Sequence, residues 1–590
     1  MRAQLLKHRS LAAGLLSVTL LGACVASTPQ PATPGPIPAT GTAAVPATVP
    51  ATAAATAALA TVAPSPTLLT AAPVQAVQGL PAGTDGYPWW NDTVFYEVFV
   101  RSFYDSNGDG IGDLDGLMAK LDYLQQLGVT GLWLMPIQPS PSYHGYDPTD
   151  YYGVNPAYGT LPGFKKLVAA AHQHGMRLII DFVLNHTSDQ HPWFVGSQKP
   201  DSPYRNWYIW SKTDPGYVGP WGEEVWHQAA SGDYYYGIFT ASQPDLNYRN
   251  PDVTAKMDDV TRFWLLDGGV DGFRLDGAKH LIEEGPVQQN SASTHQWYQA
   301  FHTFYKGVNP QAMTVGEING DPSSVVATYA QGDQLDLGFD FPLATTFLDS
   351  ARSGRAGDVA QALSADVLTF KPEQFATFLS NHDQNRVMSQ LAGKVDKARV
   401  AAAMLLTAPG VPFIYYGEEI GMVGLGADEE KRTPMQWTAA ANAGFTTGTP
   451  WELVNPDFAK GRNVAVETAD PNSLLATYRS LIQARNQHAA LRVGDLFLPQ
   501  SGSATVLASL RVSHTETVLS VINLGPDPVT AFSLSLAAGP LKGHYQAAPI
   551  LGQGPAGALT ANGQGGFENY QPVATLPGYG VLILQLQPMQ

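Results

Sequence analysis

Between about Trp89 and residue 488, short apolar runs alternate with stretches of helical period. The runs are Val94–Val100, Gly131–Met135, Arg177–Val183, Gly272–Leu275, Met313–Val315, Leu337–Phe341, Phe375–Leu379 and Val411–Tyr415. Helical patterns such as Leu114–Leu127 and Phe164–His174 lie between most of them. Strands alternating with helices imply a parallel sheet, and eight such units predict an α/β fold closed as a (β/α)8 TIM barrel over 87–488. One connection breaks the rhythm. Residues 186–250, rich in Trp, Tyr, Pro and Gly, predict a small domain inserted after the third strand. From 489 to 590 the pattern becomes strict alternation, as in Ala504–Leu510, Glu516–Ile522 and Gly580–Leu586, which predicts a C-terminal antiparallel β-sandwich.

The N-terminus reads as a processing signal. Arg2, Lys7 and Arg9 precede an apolar run from Leu11 to Leu21 that is too short for a comfortable membrane span. Leu21-Gly22-Ala23-Cys24 resembles the bacterial lipobox, which implies removal of residues 1–23 and acylation of Cys24; an ordinary signal peptide with a chance cysteine is the alternative. Residues 24–86, rich in Ala, Thr and Pro, predict a disordered tether that cannot bury enough apolar surface to offset its ordering entropy. The expected product is a secreted monomer, anchored by lipid on the cell surface or facing the periplasm. Cys24 is the only cysteine, so no internal disulfide exists. A formal charge of −17, from 50 acidic and 33 basic residues, disfavours nucleic acid and anionic lipid, and is neutral toward an uncharged sugar. Membrane contact is expected through the anchor alone.

In a barrel of this kind the site lies at the C-terminal ends of the strands. The third strand ends in Asp181-Phe-Val-Leu-Asn185-His186, and the fourth in Arg274-Leu-Asp276-Gly-Ala-Lys279-His280. The fifth ends in Val315-Gly316-Glu317, and the seventh in Asn381-His382-Asp383-Gln-Asn-Arg386. Residues two apart on a strand share a face, so Arg274 and Asp276 both point into the barrel mouth. A guanidinium beside Asp276 favours its ionised form, as a nucleophile requires. Cleaving a glycosidic bond with retention needs one protonated and one ionised carboxyl, roughly 5–5.5 Å apart.

These four ordered segments resemble the signature regions of the α-amylase family, glycoside hydrolase family 13. The resemblance implies Asp276 as nucleophile, Glu317 as general acid/base, and Asp383 as a holder of the hydroxyls of the sugar being cleaved. Arg274 would orient Asp276, and His186, His382 and Arg386 would line the same subsite. In His144-Gly-Tyr146-Asp147, Tyr146 would stack on that sugar and His144 would hydrogen-bond it. Asp105-Ser-Asn107-Gly-Asp109-Gly-Ile111-Gly-Asp113 alternates oxygen donors on a glycine-bent loop, the chemistry of a calcium site, through Asp105, Asn107, Asp109, the Ile111 carbonyl and Asp113. A metal-free turn is the plainer reading. A second calcium site using Asn185 stays open.

Within the family the motifs pull two ways. Gln243-Pro-Asp-Leu-Asn247 and Arg432-Thr-Pro-Met-Gln-Trp437 resemble oligo-1,6-glucosidases and trehalose synthases. Lys279-His280 resembles the pair with which true α-amylases grip glucose units beyond the cut. An intermediate subgroup combines these traits. The expectation is therefore internal cleavage of α-1,4-glucan. The alternatives are an exo-acting glucosidase, a transglycosylase, or a non-catalytic glucan-binding lipoprotein, which the presence of all three carboxylates opposes.

Overall fold

A computed structural model describes Gly79–Met589 apart from Ala531 and Pro555; Cys24 and most of the expected tether lie outside these residues. Eight parallel strands close a barrel: β1 (Phe95–Val98), β2 (Gly131–Leu134), β3 (Arg177–Phe182), β4 (Gly272–Leu275), β5 (Met313–Gly316), β6 (Leu337–Phe339), β7 (Phe375–Thr377) and β8 (Val411–Tyr415). β8 pairs with β1 in register, Phe95 opposite Phe413, and the two rings stack at 4.5 Å. The strands are buried on both faces, which is why they read as short, mostly apolar runs.

The two faces do different work. Outward side chains such as Tyr96, Leu132, Ile180 and Phe273 join the large core beneath the surrounding helices. Inward side chains form a second core inside the barrel, built from Phe95, Trp133, Ile179, Met313, Val315, Leu337, Phe339 and Phe413. One step further toward the strand ends, the inward row turns polar: Glu97, Asp181, Arg274 and Glu317. The apolar plug keeps water out from below and places charged groups at the mouth.

The helices begin where side-chain oxygens can take up free backbone N–H groups. Thr160 caps Leu161–Gln173, Asn250 caps Pro251–Arg262, and Ser291 caps Ala292–Val308. The expected helix 114–127 is two, Leu114–Met118 and Leu121–Leu127, broken at Lys120, whose ammonium lies over the Tyr104 and Trp437 rings. Between β3 and β4 the chain makes a three-stranded antiparallel sheet from Trp210–Ser211, Trp226–Gln228 and Tyr234–Tyr236.

The tail forms a six-stranded antiparallel sheet and two two-stranded ribbons. Val506, Leu519, Leu582 and Leu584 face the ribbons, while Leu507, Val518, Ile522 and Ile583 face the barrel helices. At this seam Arg511, fully buried, donates to the Glu373 carboxylate (2.9 Å) and to the Gly494 carbonyl (2.9 Å). Two boundaries differ from expectation. The tether does not extend to residue 86, because the Pro81 carbonyl accepts from Arg177 and Thr84 bonds Asp92 and Arg492. The tail begins near Gly494 and not at 489, because the helix Ala489–Val493 buries Ala490 and Leu491 in the barrel core.

Candidate active site

Arg274, only 1% exposed, is the last inward residue of β4, and the next inward position beyond the strand is Asp276. Arg274 donates through Nη1 to Asp276 Oδ1 (2.7 Å) and to both oxygens of Asp181 (2.8 and 3.0 Å). Through Nη2 it donates to Glu317 Oε2 (2.6 Å). One guanidinium thus holds the two carboxyls far apart in sequence, Asp276 and Glu317, at one hollow. A backbone N–H of the same turn, Gly277, also reaches Glu317 Oε2 (3.2 Å). Gly277 sits at φ +49, and a Cβ there would meet the Phe239 ring at 2.9 Å. Asp276 and Glu317 are each 13% exposed, open enough to touch a ligand and closed enough to feel burial.

Burial acts most strongly on two of these carboxyls, Glu317 and Asp181. Burial is the largest influence on Glu317 and raises its pKa; Arg274 opposes it, and Asp276 and Asp383 add to the rise, leaving the group at about 7. Such a carboxyl is about half protonated at neutral pH and mostly protonated below it. On Asp181, burial pushes the pKa up and Arg274, bonded to both oxygens, pulls it down.

Behind these groups runs a buried chain of hydrogen bonds. Burial raises Glu97 well above the usual carboxyl range, and burial together with Arg432 and Arg274 holds His382 well below its usual value. The consistent assignment is a protonated Glu97 donating to His382 Nδ1 (2.5 Å). His382 Nε2–H then donates to the Tyr146 oxygen (2.7 Å), and Tyr146 O–H donates to Asp181 Oδ2 (2.9 Å). The imidazole and the Tyr146 ring lie nearly parallel, 5.3 Å apart.

A cleft of about 570 Å³ covers this cluster, and Asp276, Glu317 and Asp383 all line it. His144, Tyr146, His186, Lys279, His280 and His382 line it too. Their polar atoms are partly committed: His186 Nε2 donates to the Tyr146 carbonyl (2.7 Å), Tyr146 N donates to His144 Nδ1 (3.0 Å), and Lys279 pairs with Asp321 (2.9 Å). Arg386 does not line the cleft. Its buried guanidinium donates to the carbonyls of Lys431 (2.8 Å) and Tyr416 (2.6 Å) and lies over the Tyr415 and Tyr416 rings. It is a support for the loop that carries Asp383, which corrects its expected place in the sugar subsite.

Four cleft or support residues escaped the sequence reading. Asp181 opens the third strand-end segment without a role assigned to it, and Glu97 lies in no motif, although the alternation of inward residues along β1 and β3 points to both. Arg432, read only as a subgroup marker, donates to Asp383 Oδ1 (2.8 Å) and to Asp428 (3.0 Å). Trp221, on the inserted domain, lines the cleft from above.

The 105–113 loop is closed by its own amides. Asp105 accepts from Asn107, Gly108 and Gly110 N–H and from the Thr446 hydroxyl, and Asp113 accepts from Gly116 N–H (2.6 Å). Asn107 and Asp109 each accept one loop N–H and keep a lone pair. All-oxygen donors at alternate positions fit Ca²⁺ by chemistry. Among the described residues, however, no three acidic or His side chains converge as a metal cluster. Asn185 is buried beside Asp245, whose pKa burial raises, and its Oδ1 has no hydrogen-bond partner among the described residues.

The chain as a whole is similar to known proteins. The chain matches the family described as Alpha amylase, catalytic domain, over residues 97–494. It is 39% identical over 444 residues to Alpha-amylase 3 of Dictyoglomus thermophilum, covering 74% of this chain and 85% of that one. It is 35% identical over 576 residues to the trehalose synthase/amylase TreS of Mycolicibacterium smegmatis, covering 86% and 94%. An oligo-1,6-glucosidase of Parageobacillus thermoglucosidasius is 35% identical over 486 residues, covering 70% and 86%. Among solved structures, an alpha-amylase from H. orenii superposes with a TM-score of 0.72 at 38% identity, covering 84% of this chain and 99% of that one. With its closed barrel, its cleft at the strand ends and these relatives, the chain belongs to the α-amylase family of glycoside hydrolases.

Proposed function

We propose that the protein is an α-amylase that cleaves internal α-1,4-glucosidic bonds of starch and maltooligosaccharides with retention. Asp276 attacks the anomeric carbon while Glu317 gives its proton to the departing oxygen. A covalent glycosyl-enzyme forms on Asp276. Glu317, now ionised, then takes a proton from water, which releases the sugar. Asp383, which also lines the hollow, accepts from sugar hydroxyls, and Arg274, donating to Asp276 Oδ1, keeps that carboxylate aimed.

The observation that supports internal cleavage is a cleft wall that extends from the carboxylates to residues able to hold glucose units beyond the cut. One end reaches Lys279, His280 and Trp221. Asp383 also borders a second hollow of about 470 Å³, with Gln384, Asn385, Gln390 and Leu425. A long chain can lie through such a site with its cut in the middle. A second reading, exo-acting or glucosyl-transferring, draws on Arg432, whose pairing with Asp383 and Asp428 narrows the second end, and on the relatives named oligo-1,6-glucosidase and trehalose synthase/amylase. Incubation with starch, maltotriose, isomaltose and maltose separates the two. Internal cleavage predicts a rapid fall in starch viscosity ahead of glucose release, and no attack on isomaltose. Glucose as the first product, or cleavage of isomaltose, contradicts it.

Glu317 must enter the reaction protonated. With its pKa near 7, kcat/KM on maltoheptaose is full below that value and falls as pH rises through it. Glu317→Gln is expected to lose roughly 10²- to 10⁴-fold and to abolish that alkaline limb. A limb unchanged in the variant would assign it to another group.

We also propose that Ca²⁺ binds the loop at Asp105, Asn107, Asp109, the Ile111 carbonyl and Asp113 as a structural ion, and that Cys24 carries a lipid that holds a secreted protein at the membrane. The donor chemistry supports the first and Leu-Gly-Ala-Cys24 the second. No helix among the described residues is long and apolar enough to cross a membrane. Calcium added to chelator-treated protein is expected to raise its thermal midpoint, and to do so much less in Asp109→Ala. Identical shifts in both proteins would remove the loop as the site.

A further inference from the structure

Trp221 is 61% exposed, and among the described residues no other Trp or Phe is exposed to that degree. Because this ring lines the same cleft as Asp276 and Glu317, its free face is available to a ligand lying there. It is also held firmly there. Gly222 N–H closes the turn on the Gly219 carbonyl (3.0 Å), and Gly219 N–H bonds the Glu223 carbonyl (2.8 Å). Gln288 ties this turn to the rest of the cleft wall. Its Nε2 donates to the Val218 carbonyl (2.7 Å), its Oε1 accepts from Tyr236 (2.7 Å), and its backbone carbonyl accepts from His280 Nδ1 (3.0 Å). The Trp221 ring then lies 5.9 Å from Phe239 at 28° and 5.3 Å from His280 at 56°.

The side of the cleft follows from the chain. Ala278 N–H bonds the Glu317 carbonyl (3.0 Å), so the turn carrying Lys279 and His280 lies against the general acid. The general acid serves the departing oxygen, so this wall faces the half of the substrate that leaves. Burial lowers the His280 pKa to about 4, so the ring is neutral there. With Nδ1–H given to Gln288, its Nε2 is left as an acceptor for a hydroxyl.

We propose that Trp221 is a specificity-determining stacking platform for a glucose ring just beyond the cut, with His280 accepting from one of that ring's hydroxyls. A glucose face is a patch of C–H groups, and its edge is a ring of hydroxyls. A flat indole beside an imidazole acceptor matches both. The same platform receives an incoming sugar after the first half-reaction, so it favours transfer to a sugar over transfer to water. This inference rests on the glucan reading above.

The test compares wild type, Trp221→Ala and Trp221→Phe on two kinds of substrate. Maltoheptaose places glucose units beyond the cut. α-Glucosyl and α-maltosyl fluorides place only fluoride there. Trp221→Ala is expected to lose about 5- to 10-fold in kcat/KM on maltoheptaose, the size of a lost aromatic contact. It is expected to keep wild-type rates on the fluorides, and Trp221→Phe to retain most activity on both. With a glycosyl fluoride as donor and maltose as acceptor, Trp221→Ala is also expected to shift products toward hydrolysis. An equal loss on both kinds of substrate would make Trp221 structural, and no loss on maltoheptaose would leave it outside the subsite; either overturns the proposal. A wild-type protein that turns over the fluorides but is inert on maltoheptaose would overturn the glucan reading itself, whatever Trp221 does.

Discussion

The site depends on one buried cation. Arg274 places a single planar guanidinium among Asp181, Asp276 and Glu317, and its fork geometry fixes where each carboxyl can sit. Without it three acids would crowd a half-buried hollow, and mutual repulsion and desolvation would drive protons onto more than one of them. With it, the charge is shared unequally. Asp276 has its hydrogen bond from Nη1, while Glu317, under burial and the fields of two neighbouring acids, keeps its proton near neutrality. That inequality is what the proposed double displacement requires of its two carboxyls.

The barrel makes this arrangement sustainable. A guanidinium sunk into a barrel loses much hydration, and the loss is offset only when its partners are held at good hydrogen-bond distance. The aromatic plug of Phe95, Trp133, Phe339 and Phe413 closes the floor, and the inward alternation of β1, β3, β4 and β5 brings every polar partner to the same level. The relay from Glu97 through His382 and Tyr146 to Asp181 then satisfies the back of the cluster without adding net charge. Arg432 supports the opposite wall by holding Asp383.

Strands and catalytic candidates were legible in the sequence because a barrel strand buried on both faces leaves a short apolar run, and because chemistry sits just past its end. Residues that act from elsewhere were not legible. Arg386 lies in the same segment as His382 and Asp383, and only its contacts with the Lys431 and Tyr416 carbonyls reveal a loop support. Glu97 reads as one polar residue in an apolar strand until its neighbour His382, from the far end of the barrel, is placed beside it. Trp221 is one of 12 tryptophans, and its exposure depends on a turn held by Gln288, 67 positions along the chain. The tether's end was misplaced because Pro81 and Thr84 have the composition of the segment before them, and what anchors them is Arg177, Asp92 and Arg492.

The most direct test of the account is to trap the enzyme part-way through its reaction. A 5-fluoro α-glycosyl fluoride loads the enzyme and slows release, because the ring fluorine destabilises the positively charged transition state of both steps. Digestion and mass spectrometry then locate the sugar. The account predicts one glycosyl mass per protein, esterified to Asp276. A sugar on Glu317, Asp181 or Asp383, or steady turnover with inverted product and no adduct, would contradict the division of labour that Arg274 imposes.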